Sequence, residues 1–206
     1  MTGKGRIVLV LSPHTDDGEL GCGGTMARLA EDGARIHYVA FSKGSAIDRE
    51  VLAAVRHLGV HQGGLVVYDY PTRYFHERRQ DILQEIINLR DRIQPDLVFC
   101  PSSADMHQDH QVVAAEAERA FKSCTLLGYE LPWNATTFET RCFWPLEKRH
   151  VQAKVAAVGC YATQAAKQYT RPEFLWGAAV MRGVSLGGGA RFAEAFEVVR
   201  WVVQSS

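Results

Sequence analysis

Neither sign of charge is in excess: 23 lysines and arginines balance 23 aspartates and glutamates, for a formal net charge of zero. With no basic run or global field to gather nucleic acid or an anionic membrane, the expected partner is a small molecule. Cysteine is also scarce. Cys22, Cys100, Cys124, Cys142 and Cys160 are odd in number, widely spaced and without a CxxC pair, which does not resemble a disulfide framework and points to a reducing compartment. Long apolar runs are missing too. The polar stretch 1–6 leads into only five apolar residues, 7–11. That is too few for a signal-peptide core or a membrane span, so a cytoplasmic protein without membrane insertion is expected.

What the chain does have is enough apolar material, 47% of its 206 residues, for a sizeable core in a single domain over 1–206. Apolar runs of strand length at 7–11, 36–41, 65–68, 96–100 and 125–131 alternate with helix-period segments at 20–30, 51–58, 82–93 and 108–122. Pro95 ends the third of these helices. Repeated strand–helix units predict an α/β fold, a Rossmann-like three-layer αβα sandwich with a mostly parallel sheet. Beyond Pro132 the texture changes. Residues 137–144 read as a further strand, 149–161 as a helix, Gly187-Gly188-Gly189 as a loop and 192–203 as a last amphipathic stretch, with no linker between.

Two clusters sit at predicted strand ends: Pro13-His14-Thr15-Asp16-Asp17 after the first strand and His107-Gln108-Asp109-His110 after the fourth. Taken singly each has an ordinary explanation, because an Asp after a strand often caps the next helix. Together they carry more. In a doubly wound sheet of order 3-2-1-4-5, strands one and four adjoin at the reversal of winding, where ligands bind. Imidazoles and carboxylates from two loops would meet there, the donor set of a divalent metal that activates water. Hydrolysis is the expected chemistry.

Other motifs fail. Gly21-Cys22-Gly23-Gly24 is not a dinucleotide fingerprint, since Met26 stands where the third glycine belongs, and its glycines suit close helix–sheet packing. Gly183-Val184-Ser185-Leu186-Gly187 fits a nucleophile elbow, but no Asp or His follows Ser185. His37, His57, His61, His76 and His150 are assigned no role.

The run from Pro13 to Thr25, PHTDDGELGCGGT, resembles the AHPDDxELGCGGT signature of the PIG-L/LmbE-like N-deacetylases, with Thr15 in place of proline. His107-Gln108-Asp109-His110 is similar to that family's HPDH, with Gln108 in place of proline, and neither replacement removes a ligand. The similarity continues through Arg49-Glu50, Leu58-Gly59, Tyr129-Glu130, Tyr161, Gln164, Tyr169, Arg182-Gly183 and residues 193–196.

The resemblance implies a Zn2+ ion held by His14, Asp17 and His110, with Asp16 as general base. It also implies a protonated His107 stabilising the oxyanion and Asp109 holding an imidazole in its tautomer. Two nitrogens and a carboxylate would equally suit another divalent transition metal. The substrate so implied is an N-acetylglucosamine-type sugar conjugate or sugar nucleotide. Arg49, Asp69, Arg73 and Trp133 are expected to rim the crevice, although Trp133 reads equally as a core aromatic. A zinc amidase acting on a non-sugar acyl amine, and a non-catalytic sugar- or nucleotide-binding module, stay open as alternatives, as does a homo-oligomer.

Overall fold

The computed structural model describes residues 5–43 and 48–203. Its sheet begins with five parallel strands. These are β1 (Ile7–His14), β2 (Arg35–Ser42), β3 (Val60–Val67), β4 (Leu97–Pro101) and β5 (Thr125–Tyr129), in the order β3-β2-β1-β4-β5. Each apolar run is fully buried where it is central, and successive side chains serve opposite faces. Val8 and Val10 join Ile36, Tyr38, Phe99, Leu127 and Tyr129 in one core layer. Leu9 and Leu11 join Val39, Phe41, Val98 and Leu126 in the other.

The helices cover both faces. The first layer packs under α1 (Asp17–Glu31), α2 (Asp48–His57) and, further along the chain, a helix at Lys148–Gly159. The second packs under α3 (Arg79–Ile93) and α4 (Gln108–Ala120). Helix α3 stops where Gln94 turns left-handed at φ 50° and its N–H bonds the Arg90 carbonyl, directly before Pro95, which disfavours a helical conformation at that position. No helix among the described residues is long and apolar enough to cross a membrane.

Beyond β5 the chain departs from simple alternation. Strand β6 (Cys142–Leu146) and β7 (Phe192–Arg200) enlarge the sheet, with β7 antiparallel to both β5 and β6 and lying between them. The strand expected at 137–144 therefore starts later, at Cys142, and the amphipathic stretch expected at 192–203 is β7. Helix α5 (Lys148–Gly159) and α6 (Pro172–Leu186) connect β6 to β7 along the chain, α5 packing on α1 and α2 and α6 on β7 and β6. Ser185 lies on the exposed side of α6 with its hydroxyl on the Met181 carbonyl, not on a strand-to-helix elbow.

Helix α1 lies close against the sheet, and the reason is Gly21. A methyl group there would run into the Tyr129 ring, whose hydroxyl is anchored on the Leu11 carbonyl at 3.0 Å. Gly21→Ala therefore forces helix and sheet apart, and a loss of about 1–3 kcal/mol is expected in urea unfolding. An unchanged midpoint would show that the helix can shift at no cost.

Candidate active site

Strand β1 ends at His14, and α1 starts two residues later with Asp16 at its N-cap and Asp17 as its first residue. The Asp16 carboxylate makes no capping bond, so it is not held by the helix start. Asp17 turns back: its Oδ2 accepts the His14 backbone N–H at 2.8 Å and faces His14 Nδ1 at 3.0 Å. Strand β4 lies beside β1, and the segment after it delivers His107 as the N-cap of α4, with Asp109 and His110 in the first turn. The residues of the two clusters meet as the strand order requires. His110 Nε2 is 3.1 Å from Asp17 Oδ2 and 3.2 Å from His14 Nδ1.

Three atoms thus stand 3.0–3.2 Å from one another: His14 Nδ1, Asp17 Oδ2 and His110 Nε2. The opposite nitrogens of both rings are already engaged, His14 Nε2 with Asp109 Oδ2 at 3.0 Å and His110 Nδ1 with Asp105 Oδ2 at 2.7 Å. If each ring donates its N–H to its own carboxylate, two lone pairs and a carboxylate oxygen converge on one point, which calls for a cation. Donors at the corners of a tetrahedral zinc site, bonded at 2.0–2.1 Å, would lie roughly 3.3 Å apart, so the donor set fits such an ion. His107 also brings a ring nitrogen within 4.8 Å of those of His14 and His110. Its Nδ1, however, accepts the Asp109 backbone N–H at 3.2 Å.

The charges respond to this crowding. Burial would lower the His14 and His110 imidazoles, but Asp17 together with Asp109 or Asp105 outweighs it and raises them to about 9 and about 10. Burial would raise Asp17, yet the two imidazoles hold it well below the usual carboxylate range. Asp16 moves the other way: burial first, then the Asp17 charge, lift it to about 6, with Lys167 pulling against them. His107 is pushed down by burial and by His110 and His14. With Nδ1 accepting, Nε2 is the ring nitrogen left to carry a proton toward the crevice.

The site opens into a crevice of about 460 Å³. His14, Asp16, Asp17, His107 and His110 line it, and Arg73 and Trp133 do as well. Asp109 lies behind the site, buried, and ties His14 to the backbone N–H groups of Arg73 (2.6 Å) and Phe75 (3.3 Å). Arg49 and Asp69 are exposed and do not line the crevice. Arg49 sits on the solvent side of α2, where its neighbour Glu50 points inward instead, accepting from Thr163. Trp133 stacks on Tyr169 at 3.8 Å between ring centroids and forms one wall.

No motif marks Asp105, which lies five residues before His110 in the loop after β4. It is buried, accepts the His107 backbone N–H at 2.8 Å through Oδ1, and fixes His110 through Oδ2. Asp105→Ala is expected to weaken metal binding about 10- to 100-fold, as loss of a carboxylate behind a ligating imidazole commonly does. Competition with a chelator of known affinity measures this, and unchanged affinity would leave Asp105 only a loop-folding role.

Residues 9–121, more than half of the chain, match the PIG-L family, described as GlcNAc-PI de-N-acetylase. YaiS of Escherichia coli, described as an uncharacterized deacetylase, is 30% identical over 168 residues that cover 75% of this chain and 90% of that protein. Two solved structures show the same fold at lower identity. GalB, a 4-carboxy-2-hydroxymuconate hydratase from Pseudomonas putida, is 21% identical with a TM-score of 0.80 over 98% of this chain and 99% of its own. The N,N'-diacetylchitobiose deacetylase of Pyrococcus horikoshii is 19% identical with a TM-score of 0.71 over 94% and 84%. A hydratase and a deacetylase on one fold show that architecture does not decide the reaction. The sequence matches place the chain instead: it belongs to the PIG-L family of de-N-acetylases.

Proposed function

We propose that the enzyme is a divalent-metal hydrolase that removes the N-acetyl group from an N-acetylglucosamine-type sugar conjugate or sugar nucleotide. The observation that carries this reading is the convergence of His14 Nδ1, Asp17 Oδ2 and His110 Nε2 at one end of an open crevice, with Asp16 beside them. These three residues would hold the metal, with zinc the first choice. Bound there, it would supply Lewis acidity, lowering the pKa of water and polarising the acetamide carbonyl.

The chain's own groups do the rest. Asp16, free of any capping bond, takes the proton of the attacking water and passes it to the departing amine nitrogen, which leaves poorly as an anion. His107, its Nδ1 occupied by the Asp109 N–H, presents its Nε2–H to the oxygen on which negative charge develops. Asp109 and Asp105 keep both ligating rings in the tautomer that directs lone pairs inward. The Trp133–Tyr169 wall offers an aromatic face to a sugar ring. The family description, naming N-acetylglucosamine, supports the sugar class.

Acetate release from a panel of N-acetylglucosamine compounds tests the reading, with the protein as isolated, after chelation and after zinc is restored. Activity lost on chelation and regained with zinc is the expected result. Activity indifferent to chelation would sink it.

A further inference from the structure

Resting on the deacetylase reading, we infer that the substrate carries an anionic group, a phosphate or a carboxylate, which docks at the crevice mouth against Arg73 with Lys43 and Lys167 beside it. All three cations line the crevice, in a chain whose total charge is zero. Among the described residues the only carboxylates that line it are Asp16 and Asp17, and both lie at the metal end. The mouth is therefore positive where the whole molecule is neutral, and such a field selects for negative ligands.

Arg73 is the centre of the argument. Among the described residues its guanidinium has no carboxylate partner, whereas Lys43 lies 3.9 Å from Asp48 and Lys167 sits 5.4 Å above the Tyr169 ring. The Arg73 backbone is left-handed at φ 74°, a conformation that favours glycine and is kept elsewhere only when the surroundings enforce it. Here the enforcing group is Asp109, whose Oδ2 takes the Arg73 N–H at 2.6 Å and also holds His14 Nε2 at 3.0 Å. One carboxylate thus sets the position of a metal-site imidazole and of the cationic rim residue together. A planar guanidinium with two parallel N–H donors matches a carboxylate or phosphate edge better than any neutral sugar hydroxyl.

The test uses the full-length, zinc-restored enzyme with the methyl glycoside of N-acetylglucosamine, its 1-phosphate and 6-phosphate, and N-acetylmuramic acid. At least one anionic compound is expected to exceed the neutral glycoside by about tenfold or more in kcat/KM, mainly through KM, the size of one charge-assisted hydrogen bond. Whichever anionic compound wins distinguishes phosphate from carboxylate. Arg73→Asn removes the charge while asparagine tolerates the left-handed backbone, and it is expected to reduce the anionic-to-neutral ratio about tenfold. Lys43→Gln, which makes no backbone demand, should reduce the same ratio by a smaller factor. A wild-type ratio near one, or a ratio unmoved by either variant, overturns the inference and leaves the deacetylase reading intact. Should no compound release acetate, calorimetric binding of glucosamine 6-phosphate decides separately. Binding weakened by Arg73→Asn keeps the anion site while the deacetylase reading fails, and binding that is absent or indifferent to Arg73 removes the site as well.

Discussion

Asp16→Asn is expected to keep its metal and lose about 10²- to 10⁴-fold in kcat for acetate release, the span that a positioned general base contributes. The substitution is nearly isosteric, and the Asp16 side chain caps no helical N–H, so its loss leaves no backbone donor unpaired. Asp17→Asn is the necessary contrast. The Asp17 carboxylate faces both imidazoles and accepts the His14 N–H, and an amide cannot supply the same charge. That variant should lose the metal first and activity with it. Elemental analysis and kcat on the same preparations separate the two adjacent carboxylates. A metal-loaded Asp16→Asn enzyme running within about threefold of wild type would deny Asp16 the role, because a base worth that little lies well below the usual range.

The five parallel strands of the sheet were readable because each central strand is a short apolar run and each covering helix has a clear period. From the order β3-β2-β1-β4-β5 the meeting of His14 with His110 follows, ninety-six residues apart in sequence but only 3.2 Å apart in space. The C-terminal third resisted for physical reasons. Helix α6 exposes Val180, Met181 and Val184 and carries Gly177 and Gly183, so neither an amphipathic stripe nor a clean propensity marks it. Strand β7 enters between β5 and β6, and nothing in its own residues names those neighbours.

The site was legible where chemistry-bearing residues cluster and illegible where a lone residue acts through a fold contact. Asp105 is one such residue, and Lys167, brought to the crevice by the irregular segment after α5, is another. Proximity to a strand end is what puts Arg49 at the expected crevice rim, and that signal carries no direction; on α2 it is exposed to solvent.

Lys154→Met should cost about 3–5 kcal/mol of stability, because it leaves a buried carboxylate without its cation. Helix α1 is broken at Cys22, whose φ of −138° and ψ of 18° are not helical. Two and three residues beyond the break, Gly24 and Thr25 turn their N–H groups to Glu194 on β7, at 3.1 and 2.7 Å. Glu194 acts there as a cap supplied from another strand. Lys154 of α5 completes the arrangement with an ion pair of 2.7 Å, both side chains being 9% exposed or less. Methionine preserves the apolar stem that packs near Gly23 and removes only the charge. For a chain of this size each kcal/mol moves Tm by roughly 2–4 °C, so thermal unfolding should shift down by roughly 6–20 °C. Adding Glu194→Gln to Lys154→Met should restore part of the loss, since a neutral amide still offers one acceptor to the α1 N–H groups and no longer buries a charge. A double variant less stable than Lys154→Met would show that the capping bonds, not the ion pair, dominate at this junction.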